Sequence, residues 1–471
     1  MESVTQRLYD TRLQTLVDFT PLRPGEVSMY VCGPTVQSGP HLGHLRSALV
    51  YDQLRRWFTH EGYRVTLVRN VTDIDDKTLA NATPEEPWWA LAYRVEREFG
   101  EVYGALRILP PTYEPRATGA IPEMQGLIAR LIERGHAYAA ADGSGDVYFD
   151  TASWPAYGEL THQRPADMVD AEDGPERAKR NATDFALWKG RKADEPDSAT
   201  WASPWGEGRP GWHIECSAMS TKYLGSAFDI HGGGRDLRFP HHENELAQSR
   251  AAGDEFAQYW LHNGLVSLGG TKMSKSVGNI ISATELVRRR RPIVVRYLLG
   301  TGHYRSTVEA GEGAYEEAEA AFSRIENFLE RATRLVGDVA AAAELPEAFE
   351  AHLRDDFAVP QALAVIFDTI SEGNTALTAG DAERVRAAAA QVRGMLGILG
   401  LDPLAEEWAE TAAGADLEPV LDKLVGELLE QRTAARAAKD WAAADRIRDG
   451  LAAAGITIED SPQGPHWSVN E

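Results

Sequence analysis

The amino-acid sequence predicts an α/β protein: a Rossmann-like parallel-sheet domain with an insertion, then an α-helical bundle, then a small mixed α/β C-terminal module. Three patterns predict it. They are an apolar strand, helix, strand succession over residues 29–71, apolar residues at helical spacing beyond residue 310, and a short strand-turn-strand pattern at the end. A chain of 471 residues with 43% hydrophobic and 25% charged residues has room for about three domains.

The first of these patterns is a βαβ unit. Residues 29–36 read as a buried strand, Val50, Leu54 and Trp57 recur at helical spacing, and residues 64–71 form a second apolar strand. The crossover of such a unit is nearly always right-handed, and ligands collect beyond the carboxyl ends of its strands. We therefore expect the functional site at that edge of the sheet.

Changes in composition and periodicity predict the domain boundaries. Residues 116–210 are rich in Pro, Gly, Asp and Trp, and the segment 185–189 is expected to dock this insertion onto the core. The predicted pieces are 1–115 and 211–267 as the two halves of the sheet domain, 116–210 as the insertion, 268–309 as a loop region, 310–405 as the bundle, and 416–471 as the C-terminal module.

Two short motifs indicate phosphate chemistry. His41 and His44 flank Gly43 at the predicted start of the first helix, where imidazole donors and the helix N-terminus stabilise phosphate charge. Lys272-Met273-Ser274-Lys275-Ser276 follows two glycines, and such a loop can close over a triphosphate. Each motif alone has an alternative, an ordinary helix start for the first and a solvated basic turn for the second. Their joint occurrence in this order favours an ATP site.

The chain has only two cysteines, Cys32 and Cys216, so it cannot hold a disulfide framework. Cys32 follows the first strand of the βαβ unit, and His241 and Glu245 are four residues apart on one helix face. Two thiolates, an imidazole and a carboxylate form a plausible zinc shell, whereas inert buried thiols and a redox pair are the alternatives. A metallopeptidase His-Glu-x-x-His motif is absent, because Leu246 stands where its second histidine would be.

These residues resemble a known family. His-x-Gly-His and Lys-Met-Ser-Lys-Ser are similar to the two signatures of class I aminoacyl-tRNA synthetases. The segments 30–36, 69–77, 211–219 and 228–245 resemble the cysteinyl-tRNA synthetase family. The resemblance implies a cytoplasmic monomer that uses L-cysteine, tRNA(Cys) and ATP with Mg²⁺. It also implies a zinc ion held by Cys32, Cys216, His241 and Glu245.

The same resemblance implies roles for further residues. The residues expected to stabilise the phosphates are His41, His44, Lys272 and Lys275. The residues expected to contact the nucleotide are Gly43, Ser274, Ser276 and Gly234. The residues expected around cysteine or the adenylate are Gly33, Thr35, Thr72, Trp212 and Asp236. The residues expected to read the anticodon are Arg436, Trp441, Asp445 and Asp460, with a core position in the C-terminal module as the alternative for Trp441.

The implied reaction has two steps: the cysteine carboxylate attacks the α-phosphorus of ATP, and a terminal tRNA hydroxyl then takes the cysteinyl group. Because a hydroxyl is a poor zinc ligand, we expect serine to be rejected without an editing domain. The competing enzyme is a cysteine ligase acting on an amino sugar in mycothiol synthesis, which the C-terminal module disfavours. A noncatalytic RNA-binding paralogue is the other alternative, and the intact motifs count against it.

Charge gives a mixed indication. A net charge of −23 opposes binding of a polyanion, but the run Arg288–Arg291, with Arg296 and Arg305, forms a basic patch that could contact RNA. The alternative is a solvated helix end stopped by Pro292. For Asp73, Asp75 and Asp76 we expect a solvated acidic turn rather than a magnesium site. No apolar run has the length of a membrane span, so no membrane partner is expected.

Overall fold

A computed structural model describes residues 5–163, 178–269, 271–272, 281–311, 313–408, 418–461 and 464–469. They fall into two compact units, Met1–Ala405 and Glu406–Glu471. The finer domain boundaries within the first unit stay predictions.

The strands of the described residues are short, and most belong to one parallel and one antiparallel sheet. In chain order they are β1 Arg7–Asp10, β2 Thr15–Asp18, β3 Glu26–Val31, β4 Arg64–Arg69, β5 Ala137–Ala139, β6 Val147–Phe149, β7 Phe185–Gly190, β8 Gly208–Pro210, β9 Ala227–Gly234, β10 Phe256–Asn263, β11 Val266–Leu268, β12 Thr271–Lys272, β13 Val308–Glu309, β14 Ile456–Ser461 and β15 Gly464–Val469.

The helices concentrate beyond residue 280. In chain order they are α1 Leu42–His60, α2 Asp76–Asn81, α3 Trp88–Ala105, α4 Ile121–Glu133, α5 Trp212–Leu224, α6 Glu243–Ala251, α7 Ala283–Arg289, α8 Pro292–Gly300, α9 Ala314–Val336, α10 Glu347–Arg354, α11 Val359–Ala379, α12 Ala382–Leu399, α13 Glu418–Ala437 and α14 Trp441–Ala453.

The predicted βαβ unit is present as β3, α1 and β4. The parallel sheet has the order β10-β9-β3-β4, so β3 lies at its centre, with Met29 paired to Ile230 on one side and to Leu67 on the other. Strand β3 ends before the predicted residue 36, because the chain after Val31 turns out of the sheet. The carboxyl ends of all four strands meet at one edge.

The insertion forms its own antiparallel sheet, with the order β5-β6-β7-β8. Phe185, Leu187 and Trp188 of β7 are buried in the same apolar core as Cys216 of α5. The expectation that residues 185–189 dock the insertion onto the sheet domain is confirmed.

The helical region and the terminal module also match their predictions. Helices α9, α11 and α12 pack on one another, and α10 packs on α11. In the second unit the hairpin β14–β15 follows α13 and α14, and its core contains Val425, Leu429, Leu451 and Ile456. Within the described residues, no helix is both long and apolar enough to cross a bilayer.

Candidate active site

A cavity of about 370 Å³ opens at the carboxyl edge of the parallel sheet. The sequence predicts many of the residues that line it: Cys32, Gly33, Thr35, His41, Gly43, His44, Trp212, Gly234 and Asp236. Among the lining residues to which sequence reasoning gave no role are Arg69, Lys77 and Tyr103, and Asp75, expected in a solvated turn, lines the cavity as well. Arg69 is the last residue of β4, and Asp75 lies in the segment that follows it. The carboxyl end of β4 faces the same edge of the sheet, so the topology rule pointed to both residues.

The histidine pair is rigidly held at the start of α1. His41 is the N-cap residue, and its Nδ1 accepts a hydrogen bond from the Gly43 amide at 3.1 Å. His44 Nδ1 accepts from the His41 amide at 3.2 Å, and the two rings stack with centroids 3.8 Å apart. A ring that accepts at Nδ1 and is neutral carries its proton on Nε2. Both imidazoles can therefore act as Nε2 donors beside the helix N-terminus, as phosphate binding requires.

The end of β3 depends on a glycine. The Gly33 amide donates to Asn70 Oδ1 at 2.9 Å, and a Cβ at residue 33 would lie 1.6 Å from the Asn70 carbonyl oxygen. Only glycine allows the two strand ends to approach this closely. On the other side of β3, the Cys32 amide donates to the Gly232 carbonyl of β9 at 3.1 Å, which fixes the backbone of Cys32.

Thr72 does not lie on the cavity surface. It is buried, pairs with Thr35 in a short parallel bridge, and donates its hydroxyl to Glu215 Oε2 at 2.8 Å. The geometry gives Thr72 a place behind the cavity wall, where it supports Thr35.

The four predicted metal ligands come together. The donor atoms of Cys32, Cys216, His241 and Glu245 all lie within 4.8 Å of one another, and all four residues are buried. The two Sγ atoms are 3.7 Å apart, Cys32 Sγ is 3.3 Å from Glu245 Oε1, and His241 Nε2 is 3.4 Å from Cys216 Sγ and 3.0 Å from Glu245 Oε1.

These separations fit a metal ion. Ligands at about 2.3 Å for sulfur and about 2.0–2.1 Å for nitrogen or oxygen around tetrahedral zinc are roughly 3.3–3.8 Å apart. The four separations given above lie within a few tenths of an ångström of that range, and the donor set is one that zinc uses. The four residues could hold such an ion with small adjustments.

Charge in the cluster is already distributed for ligation. Burial opposes ionisation of Cys216, yet hydrogen bonds from the Cys32 thiol and the His241 ring lower its pKa to about 6. Burial also opposes ionisation of Glu245, but His231 and His241 hold its pKa well below the ordinary value. The Cys32 pKa is raised well above its usual value by burial and by Cys216. Binding of a metal ion would release the remaining thiol proton.

Four further histidines surround the cluster, and none of them was predicted. His231 Nε2 lies 2.8 Å from Glu245 Oε2, His242 Nε2 lies 3.3 Å from Cys32 Sγ, and His213 Nδ1 lies 2.9 Å from His241 Nδ1. His262 in turn contacts His242, with 2.8 Å between their ring nitrogens. These contacts orient three of the four ligand side chains, those of Glu245, Cys32 and His241.

The surrounding histidines also create a second possible donor set, Cys32, His231, His242 and Glu245. His231 stands on β9, which pairs with β3, and His262 stands on β10, which pairs with β9. Histidines on the strands of this sheet were therefore the available sequence signal.

Several predicted residues are not tested by this cavity. Lys272 lies in β12 and pairs with Ser267 of β11. Ser274, Lys275 and Ser276 lie outside the described residues.

In the second unit, Trp441 begins α14 with 59% of its surface exposed, so its alternative core position is wrong. Arg436 is in the last turn of α13, Asp445 lies on α14 3.1 Å from Arg448, and Asp460 is a residue of β14.

The expectation of a solvated acidic turn at residues 73–76 is wrong. Asp73 is buried and accepts hydrogen bonds from the Thr118 amide and hydroxyl, and Asp75 caps α2. Asp76 accepts from Lys189 at 2.7 Å and from Arg209. The three aspartates therefore stabilise the fold, and Asp76 joins α2 to the insertion. Their partners Thr118, Lys189 and Arg209 are distant in the sequence, so the sequence did not reveal these contacts.

Only some of the arginines in the predicted basic patch lie on the surface. Arg290 lies 2.8 Å from Glu316, Arg291 pairs with Glu326, and Pro292 starts α8, as the helix-end alternative predicts. Arg296 is fully buried, and Arg305 pairs with Asp356 at 2.5 Å. Arg296 was therefore misplaced in the patch.

Comparison with protein families matches three successive regions. Residues 18–320 match the model of the tRNA synthetases class I (C) catalytic domain, 348–404 the DALR domain, and 418–467 the cysteinyl-tRNA ligase anticodon binding domain.

Curated relatives match over the whole chain. The chain is 62% identical to a cysteine–tRNA ligase of Clavibacter michiganensis, with 99% of this chain and 100% of the relative aligned. It is 61% identical to that of Leifsonia xyli over the same shares, and 55% identical to that of Streptomyces avermitilis over 99% of each. A solved Mycobacterium tuberculosis methionyl-tRNA synthetase with methionyl-adenylate has the same fold, with a TM-score of 0.58 at 15% identity, over 80% of this chain and 90% of that one.

Proposed function

The chain belongs to the cysteinyl-tRNA ligase family, and we infer that it activates L-cysteine with ATP and transfers the cysteinyl group to tRNA(Cys). It is an enzyme that forms aminoacyl-tRNA. The carrying observation is the gathering of two thiols, an imidazole and a carboxylate within 4.8 Å of one another, with Cys32 also lining the cavity that holds the histidine pair. The amino-sugar ligase is not favoured, because residues 418–467 match an anticodon binding domain.

We propose that the metal is zinc, held by Cys32, Cys216, His241 and Glu245. When bound there, zinc supplies a Lewis acid that prefers a thiolate to a hydroxyl, and this preference selects cysteine against serine. Trp212 lies beside the cluster, with its ring centroid 4.1 Å from that of His241, and also lines the cavity. Its indole bounds the space for the small cysteine side chain.

The remaining chemistry is positioning. The cysteine carboxylate oxygen attacks the α-phosphorus, the bond to pyrophosphate breaks, and His41 and His44 donate from Nε2 to the phosphates. A terminal hydroxyl of tRNA then attacks the cysteinyl carbonyl, and AMP leaves. Neither step needs an enzyme nucleophile, so orientation and charge stabilisation supply the acceleration. Lys272 and Lys275 share the phosphate charge in this proposal, with Mg²⁺ carried by ATP.

Other proposed contacts follow the cavity lining. Gly33, Thr35 and Asp236 face the cysteine amino and carboxylate groups, and the backbone at Gly43 and Gly234 faces the nucleotide with Ser274 and Ser276. In the second unit, the exposed Trp441 stacks on an anticodon base, and Arg436, Asp445 and Asp460 supply polar contacts. We propose a cytoplasmic monomer, as the family resemblance implies.

The test is cysteine-dependent exchange of pyrophosphate into ATP, followed by charging of tRNA. Cys216→Ser is expected to lose exchange by at least a hundredfold together with its zinc. Met219→Leu, a volume-conserving change on the same helix, is the control and keeps both. Full exchange by Cys216→Ser, or equal exchange of the unaltered protein with serine, would overturn the proposal.

A further inference from the structure

A second cavity, of about 460 Å³, lies on the other side of the loop that follows β9. Asp236 and Leu237 of this loop line the reaction cavity, whereas Arg235 and Arg238 line the second one. The two cavities therefore share one short wall. The second cavity is also lined by Tyr9, Thr11, Gln14, His262, His303, Arg305 and Ser306.

The guanidinium groups in this second cavity are unequal. Arg305 is neutralised, because its Nε and Nη2 donate to Asp356 at 2.8 and 2.5 Å. By contrast, Arg235 donates to the Arg305 carbonyl at 2.6 Å, and Arg238 donates to the Thr161 carbonyl at 2.7 Å. Within the described residues, these two arginines donate to carbonyls and form no ion pair, so neither positive charge is compensated there.

Arg238 also carries an unmet donor. Its Nε is buried and has no hydrogen-bond partner in the described part of the chain. A buried guanidinium donor without an acceptor costs free energy, so the hydrogen bonds of Arg238 within the described residues are incomplete. In a protein of net charge −23, two uncompensated arginines facing one cavity are a local reversal of the overall field.

We propose that this cavity binds a phosphate group of the RNA backbone through Arg235 and Arg238. Guanidinium forks match phosphate oxygens, and the volume accommodates a nucleotide-sized group. The shared wall separates this site from the cavity proposed for the ATP phosphates, yet keeps it next to the place that the tRNA terminus must reach. This inference rests on the proposed function for its partner and adds a contact outside the anticodon domain.

The test is a salt titration of tRNA binding. Arg235→Gln/Arg238→Gln is compared with Arg23→Gln/Arg64→Gln, which removes two exposed arginines beside Glu26 at the amino end of the sheet. The first double variant should flatten the plot of log affinity against log salt by about one and weaken tRNA binding roughly tenfold near physiological salt. The control pair should leave the slope unchanged.

Three further measurements distinguish loss of the RNA contact from misfolding and from loss of the reaction itself. Cysteine-dependent pyrophosphate exchange without tRNA should stay unchanged in the Arg235→Gln/Arg238→Gln variant, and a loss of exchange in the unaltered protein would instead count against the proposed function. Arg235→Lys/Arg238→Lys keeps both positive charges, so it should retain most of the salt slope of the unaltered protein. This variant distinguishes loss of charge from misfolding of the glutamine variant. Thermal protection by inorganic phosphate is measured on all variants.

An unchanged salt slope overturns the RNA contact. If phosphate protection is lost while the slope stays, the cavity serves a free anion and the RNA assignment is wrong. If neither changes, no phosphate site exists there.

Discussion

Arg296 gives the sharpest prediction about which arginines of the basic patch are structural. Its guanidinium donates to Asp52, to the Leu399 carbonyl at 3.0 and 2.8 Å, and to the carbonyls of Leu106 and Arg107 at 3.0 and 3.2 Å. The side chains of Arg296 and Asp52 are both completely buried. Arg296→Gln leaves a buried carboxylate and several carbonyls with fewer donors.

Breaking a buried ion pair costs about 3–5 kcal/mol. In the variant, Asp52 would still accept hydrogen bonds from Arg56 at 3.1 Å and from the Leu109 amide at 2.8 Å. The cost of breaking its pair with Arg296 therefore lies at the low end of that range. Each carbonyl that loses a donor adds roughly 1 kcal/mol. With the carbonyls of Leu399, Leu106 and Arg107 included, the expected loss in the free energy of unfolding is about 6 kcal/mol, or about 2 M in the urea midpoint for an m value on the order of 3 kcal/mol/M.

The assay is urea unfolding followed by circular dichroism, with Arg288→Gln as the matched control. Arg288 lies in the last turn of α7 and is exposed, so its removal should change stability by less than about 0.5 kcal/mol. If the two variants unfold at the same urea concentration, the structural role of Arg296 is refuted.

Three other expectations follow. Gly33→Ala places a Cβ 1.6 Å from the Asn70 carbonyl, so it should lower cysteine-dependent exchange at least tenfold, and wild-type exchange would contradict the close packing. In Asp76, burial raises the pKa but Lys189 and Arg209 outweigh it, so the folded pKa lies below the unfolded value of about 4. Its stabilisation, about 1 kcal/mol because the side chain is 41% exposed, should be present above pH 4 and fade as the pH falls below that. Thermal scans should therefore show Asp76→Asn less stable than the wild type at pH 7, with a difference that shrinks as the pH falls from 4 toward 2, and a difference that grew in acid would refute it. His41→Ala removes the α1 cap and a phosphate donor, so exchange should fall about a hundredfold with a loss of only about 1 kcal/mol in stability, whereas unchanged exchange would exclude His41 from the site.

The sequence was sufficient where local periodicity and chemistry coincide. The βαβ unit and the histidine pair were predicted because strand ends and helix starts are readable. The four-donor cluster was predicted from its residue types together with the family resemblance, and the topology rule placed only Cys32 at the sheet edge. The prediction failed where a side chain's partner is distant in sequence. Asp76 was expected in water although Lys189 and Arg209 hold it, and Arg296 was expected on a surface although it joins three segments in the core.

The layer of histidines around the cluster shows the same limit. His231 and His242 occur in a segment that the sequence marked for other reasons, its family resemblance over residues 228–245 and, for His242, an incomplete protease motif. Their contacts with Glu245 and Cys32 depend on the parallel pairing of β9 with β3, a register that residue spacing does not reveal. Lys275 and its neighbours stay predictions.

X-ray absorption at the zinc edge of the purified protein, with and without substrate, tests the central claim most directly. The account predicts two sulfur ligands at about 2.3 Å in the free protein and a third when L-cysteine is added, with no change for L-serine. A sulfur count that does not respond to cysteine, or that changes equally with serine, would contradict recognition of the substrate through its thiolate.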